Sequence, residues 1–155
     1  MSRVELSIEP MTVADLSSVL ADHASFWGDR DLRRLHLTAL VQEFSETCLT
    51  ARRPGAPEIA GYLIGFTTPR QVAYIHLVAV RAAYRGSGLA RALYRAFTGL
   101  AQAQGATSAK AITSPANTGS VAFHQRLGFS TRQVPGYNGP SQPMIVMTRP
   151  LPLSP

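Results

Sequence analysis

The sequence has no carboxylate after Glu58, although it runs to 155 residues. Glu5, Glu9, Asp15, Asp22, Asp29, Asp31, Glu43, Glu46 and Glu58 share the first 58 positions with six arginines, a balance of −3. Residues 59–155 carry eight arginines and Lys110, a balance of +9. Such asymmetry points the second part of the chain at an anion. The anion is not expected to be a nucleic acid, because the cations are spread out and no dense basic run or aromatic-basic ladder occurs. The one cysteine, Cys48, excludes an internal disulfide and a four-cysteine zinc site and fits a reducing compartment. No apolar run is long enough to span a bilayer; the longest, near 73–80, carries a histidine. The opening "MSRVELSIEP" lacks the apolar core of a signal peptide. A soluble cytoplasmic protein with no membrane partner is therefore expected, as one domain over residues 1–155.

Hydrophobic spacing supplies the elements. Residues 4–8 read as a short strand. Thr12 with Asp15 forms a capping box ahead of a helix whose apolar face is Val13, Leu16, Val19 and Leu20. A second helix is predicted from Leu32 to Phe44, with Asp31 or Asp29 at its start. Strands follow at 47–53 and 59–67, joined by the turn-rich "RPGAPE", and at 72–80, "VAYIHLVAV", whose apolar run suits the middle of a sheet. Leu89, Leu93, Phe97 and Leu100 mark a helix that stops near Gly105. A strand at about 107–113, a helix capped by Asn117 or Thr118 and stopped at Gly128, and strands near 129–133 and 143–149 complete the chain. The proline-rich tail, 149–155, is not expected to pair. The order of elements predicts a mixed α/β fold with helices covering one sheet.

Between the third apolar strand and the helix lies "RAAYRGSGLARAL", residues 81–93. A helix start offers unpaired N–H groups and a partial positive charge, and glycine lets a phosphate approach the backbone. The Walker pattern requires Lys and Ser/Thr after the last glycine, but Leu89 and Ala90 follow Gly88. The dinucleotide fingerprint fails at Arg91, where its last glycine should stand, and it also wants a later acid. A kinase loop fails for want of a metal-binding aspartate.

Arg85-Gly86-Ser87-Gly88-Leu89-Ala90 resembles the R/Q-x-x-G-x-G/A signature of the GNAT superfamily of N-acetyltransferases. "NTGSVAFHQRLGF" is similar to that family's second motif, N-x-x-A-x-x-hydrophobic-Tyr-x-x-L-G-F, and stands at the right separation. Together the motifs cover roughly 60–130. The resemblance implies a GNAT fold: a central, mostly antiparallel sheet of about six to seven strands flanked by about four helices. It implies acetyl-coenzyme A as co-substrate, with no metal. The cofactor-binding residues it implies are Leu77, Val78, Ala79 and Val80 on the central strand, Arg85 to Ala90 in the loop, and Asn117, Ser120, Phe123 and His124 in the second motif.

The implied chemistry is direct attack of an amine on the thioester. The oxyanion donor implied by the resemblance is the backbone of Val80 or its neighbour, at a bulge where the strand ends. The glutamate that many family members use as base is absent, and the same strand offers Tyr74 and His76 instead. Strict alternation puts both on the face of Val78 and Val80. His76 is a candidate base, acting directly or through water; a carboxylate from Asp29 or Asp31 relaying through water is the alternative. His124 stands where the family has its tyrosine acid. Ser120, Phe123, His124 and Leu127 fall at i, i+3, i+4 and i+7, so its imidazole shares a stripe with core residues. Tyr137, in "PGYNGP", is a reserve donor. The acceptor pocket implied for residues 22–36 includes Phe26 and Trp27 as walls and Asp29 and Asp31 as partners for an ammonium group. The expected partner is a small-molecule or peptide amine, and association as a homodimer stays open. A catalytically silent acyl-coenzyme A sensor is the rival reading.

Overall fold

The computed structural model describes residues 5–153. β1 (Ser7–Pro10) leads into α1 (Val13–Ala21), α2 (His23–Trp27) and α3 (Thr38–Glu43). β2 (Leu49–Arg52), β3 (Ile59–Thr67) and β4 (Val72–Val80) follow. The chain then runs through α4 (Leu89–Ala103), β5 (Ser108–Thr113), α5 (Thr118–Arg126), β6 (Ser130–Val134) and β7 (Met144–Pro150). The strands form one seven-stranded sheet in the order β1-β2-β3-β4-β5-β7-β6. Every neighbouring pair is antiparallel except β4–β5. The mixed, mostly antiparallel sheet matches the expected fold class.

Local chemistry explains the helix ends. Thr12 and Asp15 make a reciprocal capping box at α1, and Arg52 adds an ion pair to Asp15 at 2.7 Å. Burial alone would raise the Asp15 carboxyl, but the Thr12 N–H and the Arg52 guanidinium win and hold it below its ordinary range. Asn117 caps α5 by accepting from the Ser120 N–H.

Two apolar layers sandwich the sheet. One packs Leu89, Leu93, Tyr94 and Phe97 of α4 on Ala60, Leu63, Ala73 and Ile75. The other packs Leu16, Val19, Phe26 and Val41 on Tyr62, Ile64, Leu77 and Ala79. At Gly65 a Cβ would sit 2.7 Å from the Phe97 ring, so this glycine is what lets α4 press against β3.

The predicted second helix, Leu32 to Phe44, is broken. A 3-10 turn spans Arg33–Leu35, and α3 starts only at Thr38. The break lies at His36, whose ring reaches back to Leu32 O and across to Tyr62, a tertiary contact that overrides local propensity. The first strand begins at Ser7 rather than at position 4, which lies outside the described residues. The tail starts later than expected, because Arg149 and Pro150 pair with Ala109 and Ser108. A proline at a strand's last position forfeits no essential ladder bond.

Two irregularities shape the middle of the sheet. β4 and β5 pair only over Val72–Ile75 and Ser108–Ala111, after which Ile112 and Thr113 pair with β7 alone. The second half of β4 thus has no strand partner on its β5 side. The second irregularity is a bulge at His76: Ile64 pairs with Leu77 while Gly65 pairs with Ile75, leaving His76 unmatched. The extra residue reverses the alternation. Before it, Ala73 and Ile75 face α4; after it, Val78 and Val80 do so, and Leu77 and Ala79 face the α1–α3 layer.

Candidate active site

The loop after β4 is pinned at its entry. The Arg81 N–H donates to Ala60 O at 2.8 Å, and its guanidinium donates to Ile59 O and to Asp22 and lies over the Phe26 ring. A 3-10 turn, Ala82–Tyr84, follows, and the Ser87 hydroxyl donates to Tyr84 O. Gly86 (φ 76°) and Gly88 (φ 84°) adopt left-handed backbone, and a Cβ at either would meet nothing within 4 Å. Gly88 caps α4 without a side chain, so the first N–H groups of the helix, at Leu89 and Ala90, have no intrahelical acceptor. Arg85 turns away from this cradle and donates to Phe26 O at 2.9 Å, tying the loop to α2.

Beside α4 and α5 lies a hollow of about 240 Å³ lined by Arg91, Arg95, Arg126 and Arg149. Arg149 is fixed by its bonds to the carbonyls of Leu127, Pro150 and Pro152. No carboxylate from residues 59–155 exists to neutralise the group. Anions are favoured here and at the α4 start, by charge and by backbone dipole respectively.

Between the diverging β4 and β5 lies a free main-chain edge. Since the Arg81 N–H points to β3, alternation turns the N–H groups of Val80 and Val78 towards the gap. The bulge expected near Val80 sits at His76 instead, and the unpaired groups near Val80 come from the splay of the two strands.

The second motif packs on α4. Phe123 meets the Tyr94 ring edge-on, and Asn117 donates to the Thr113 hydroxyl. His124 is buried, 3% exposed, and burial pushes its imidazolium pKa down. Its Nδ1–H donates to Ser120 O at 2.7 Å, since a carbonyl only accepts. Nε2 therefore accepts from the Tyr94 hydroxyl. Both ring nitrogens are engaged.

The bulge gathers Tyr74 and His76 on the α1–α3 face, not on the face of Val78 and Val80. The reason is the single unmatched residue, which a strict two-residue period cannot anticipate. His76 Nε2–H donates to Leu35 O at 2.7 Å, which leaves Nδ1 as the ring's acceptor. Tyr74 is raised by burial and by the neighbouring Tyr137, which the 135–142 loop brings to it. Phe26 is buried, 3% exposed, edge-on to Tyr62 with the Arg81 guanidinium over its ring. Asp29 is exposed. Asp31 is also exposed and accepts from the Arg33 N–H, which holds its carboxyl below its ordinary range.

Trp27 belongs to a network that the sequence pattern does not reveal. Its indole N–H donates to the Tyr62 oxygen at 2.8 Å, and Tyr62 donates to His36 Nε2 at 2.7 Å. His36 Nδ1–H donates to Leu32 O, and His23 Nε2 accepts the Leu32 N–H. Burial drives His36 down and Tyr62 up. Tyr62 sits in β3, which is buried on both faces over most of its length, and Tyr94 on the apolar face of α4; at such positions a phenol is the signal of a buried polar partner. Among the described residues, no group of three or more His, Cys, Asp or Glu has a geometry that could hold a metal ion. Likewise no helix is long and apolar enough to cross a membrane.

The profile of the acetyltransferase (GNAT) family matches residues 14–129, and the chain belongs to that family. The fold is similar to that of Ard1 from Thermoplasma volcanium, with a TM-score of 0.79 and 24% identity over 95% of this chain and 98% of that one. It is similar to the ribosomal-protein-S18-alanine N-acetyltransferase from Escherichia coli, with a TM-score of 0.73 and 17% identity over 97% of each chain. It is also similar to yncA, described as a putative acetyltransferase, from Salmonella typhimurium with its cofactor acetyl-CoA, with a TM-score of 0.69 and 22% identity over 97% of this chain and 96% of that one. No curated protein sequence matches.

Proposed function

We propose that this chain is a cytoplasmic, single-domain N-acetyltransferase that moves an acetyl group from acetyl-coenzyme A to a primary amine by direct attack in a ternary complex. The observation that carries the reading is the conjunction of two features: the Gly86–Gly88 cradle at the start of α4, and the β4 edge freed by its divergence from β5. Family membership and the Salmonella structure, described with acetyl-CoA, support it. The acceptor class, a small amine or a peptide amine, agrees with the alanine of a ribosomal protein named for the Escherichia coli enzyme.

The residues present fit the coenzyme. The main-chain N–H groups from Gly86 to Ala90 hold the diphosphate, where left-handed glycines leave room for it. The arginine hollow adds positive charge for the remaining phosphate. Polar groups on the free edge of Leu77–Val80 extend the sheet along the coenzyme's amide arm, as a strand partner would. Asn117, Ser120 and Phe123 at the start of α5 close the far wall. When bound, the coenzyme supplies an activated acetyl thioester.

The chain's own groups handle charge and protons. The N–H of Val80 or Val78 is fixed before reaction and stabilises negative charge developing on the thioester oxygen. An acceptor with a solution pKa near about 10.4 arrives protonated. His76 takes that proton on Nδ1, directly or through a water, because Leu35 O already holds its Nε2–H. Tyr137 is assigned the donor role to the departing thiolate, because both nitrogens of His124 are engaged. His124 then acts by bracing α5 against α4.

That engagement of His124 also favours the rival reading, an acyl-coenzyme A sensor that never turns over. One experiment separates them. Calorimetric titration with acetyl-coenzyme A is followed by thiol release across an amine panel. Heat with turnover supports the enzyme, heat without any turnover supports the sensor, and no heat from folded protein sinks both.

A further inference from the structure

Lys110 is the sole lysine in a chain with fourteen arginines. It stands on β5 in register with Tyr74 of β4 and with Thr148 of β7. Its side chain is half-buried, and Nζ lies 5.8 Å from the centroid of the Tyr137 ring. A cation–π contact of this kind uses the ring face and leaves the ammonium N–H donors unspent. Among the described residues no carboxylate reaches ion-pair distance of Lys110.

The surroundings of this ammonium are defined by register, because cross-strand partners share a face. Lys110 and Thr148, then Ile112, Val146 and Arg132, lie side by side on one face of β5, β7 and β6. The helices α4 and α5 cover the opposite face, and the α1–α3 layer packs on β3 and β4. The helices packed on β5, β6 and β7 thus lie on the face opposite Lys110. The Lys110 face runs on to Tyr74 and His76, within about 10 Å by strand spacing. Among the described residues Lys110 and Arg132 make no ion pair, while Tyr74 and Ile112 give the face an apolar floor.

We propose that Lys110 sets acceptor specificity: it pairs with a carboxylate that the acceptor carries close to its reacting amine, so the preferred acceptor is an acidic peptide N-terminus. This rests on the acetyltransferase reading above. An ammonium with no acid partner pairs with a carboxylate through a charge-assisted N–H···O bond. The same unpaired cations repel a basic acceptor, so discrimination comes from both signs.

The test uses the full chain saturated with coenzyme A and three hexapeptides with free N-termini, identical except for Glu, Gln or Lys at position two. Binding is read by calorimetry, so no turnover is needed. The Glu peptide binds about five-fold tighter than the Gln peptide, the affinity equivalent of about 1 kcal/mol. The preference disappears in Lys110→Met, survives in Lys110→Arg, and turns towards the Lys peptide in Lys110→Glu. It also shrinks as salt is raised from about 50 mM to 500 mM. Should Lys110→Met fail to fold, acetylating the single lysine of the folded protein with an N-hydroxysuccinimide ester removes the same charge and must remove the same preference. Equal binding of the Glu and Gln peptides, no binding by any of the three, or a Glu preference that persists without the charge overturns the proposal. The coenzyme titration on the same sample reports separately: a failure there overturns the acetyltransferase reading itself.

Discussion

The hydroxyl of Tyr94 on α4 donates to Nε2 of His124 on α5, and neither side chain has a rival partner at that atom. Tyr94 is fully buried, and the bond joins the helix of the glycine cradle to the helix of the second motif. Tyr94→Phe keeps the ring and deletes the donor, leaving a buried imidazole nitrogen unpaired. A loss of about 1–3 kcal/mol in urea unfolding is expected. Unchanged stability contradicts a contribution of this hydrogen bond to the fold.

His124→Phe separates bracing from acid catalysis. With the acid role on Tyr137, the variant loses stability but keeps turnover per folded molecule within a few-fold. Tyr137→Phe loses about 10²-fold or more. The reverse pattern, with turnover lost at His124 and kept at Tyr137, returns the acid role to the histidine.

The cradle predicts an effect on binding that exceeds the effect on packing. A Cβ at Gly86 or Gly88 meets nothing within 4 Å in the folded chain, but Gly86→Val and Gly88→Val each force a side chain into left-handed backbone at about 1–2 kcal/mol. They also fill the space assigned to the diphosphate. Acetyl-coenzyme A affinity is expected to fall at least about ten-fold in calorimetry, well beyond the change in thermal midpoint. Gly65→Ala is the control: its Cβ sits 2.7 Å from the Phe97 ring, so about 1–3 kcal/mol of stability goes while the cradle is untouched.

Acid should weaken the fold before any carboxylate titrates. Burial depresses both His36 and His124, so the unfolded chain binds more protons than the folded one below the ordinary histidine value of about 6.5. Their stabilisation is complete above that value and is lost as the pH falls through it towards the depressed folded values. Denaturant midpoints should be flat from pH 7 to 8 and decline from about 6.5 to 5. His36→Gln should flatten the decline. A midpoint that rises on acidification across this window contradicts the burial argument.

Much of the architecture is legible from short-range pattern. "VAYIHLVAV" and residues 59–67 lie in the strands that their apolar runs imply, Thr12 and Asn117 cap the helices they precede, and the glycines fall at positive φ ahead of α4. Each of these depends on residues within a few positions of one another. The candidate site is less legible. A two-residue period misplaces Tyr74 and His76 because one unmatched residue at His76 reverses the face, and a helical period runs straight through His36 because its restraint comes from Tyr62.

The sequence by itself determined the carboxylate-free second part of the chain and the glycine-lined helix start, because charge and backbone freedom are properties of residue type. Only the tertiary structure decided which histidine nitrogens are engaged, which tyrosine stands beside the lone lysine, and which strand edge goes unpaired. Those depend on register, splay and hydrogen bonds between elements tens of residues apart, and the chain sets them only when the sheet closes.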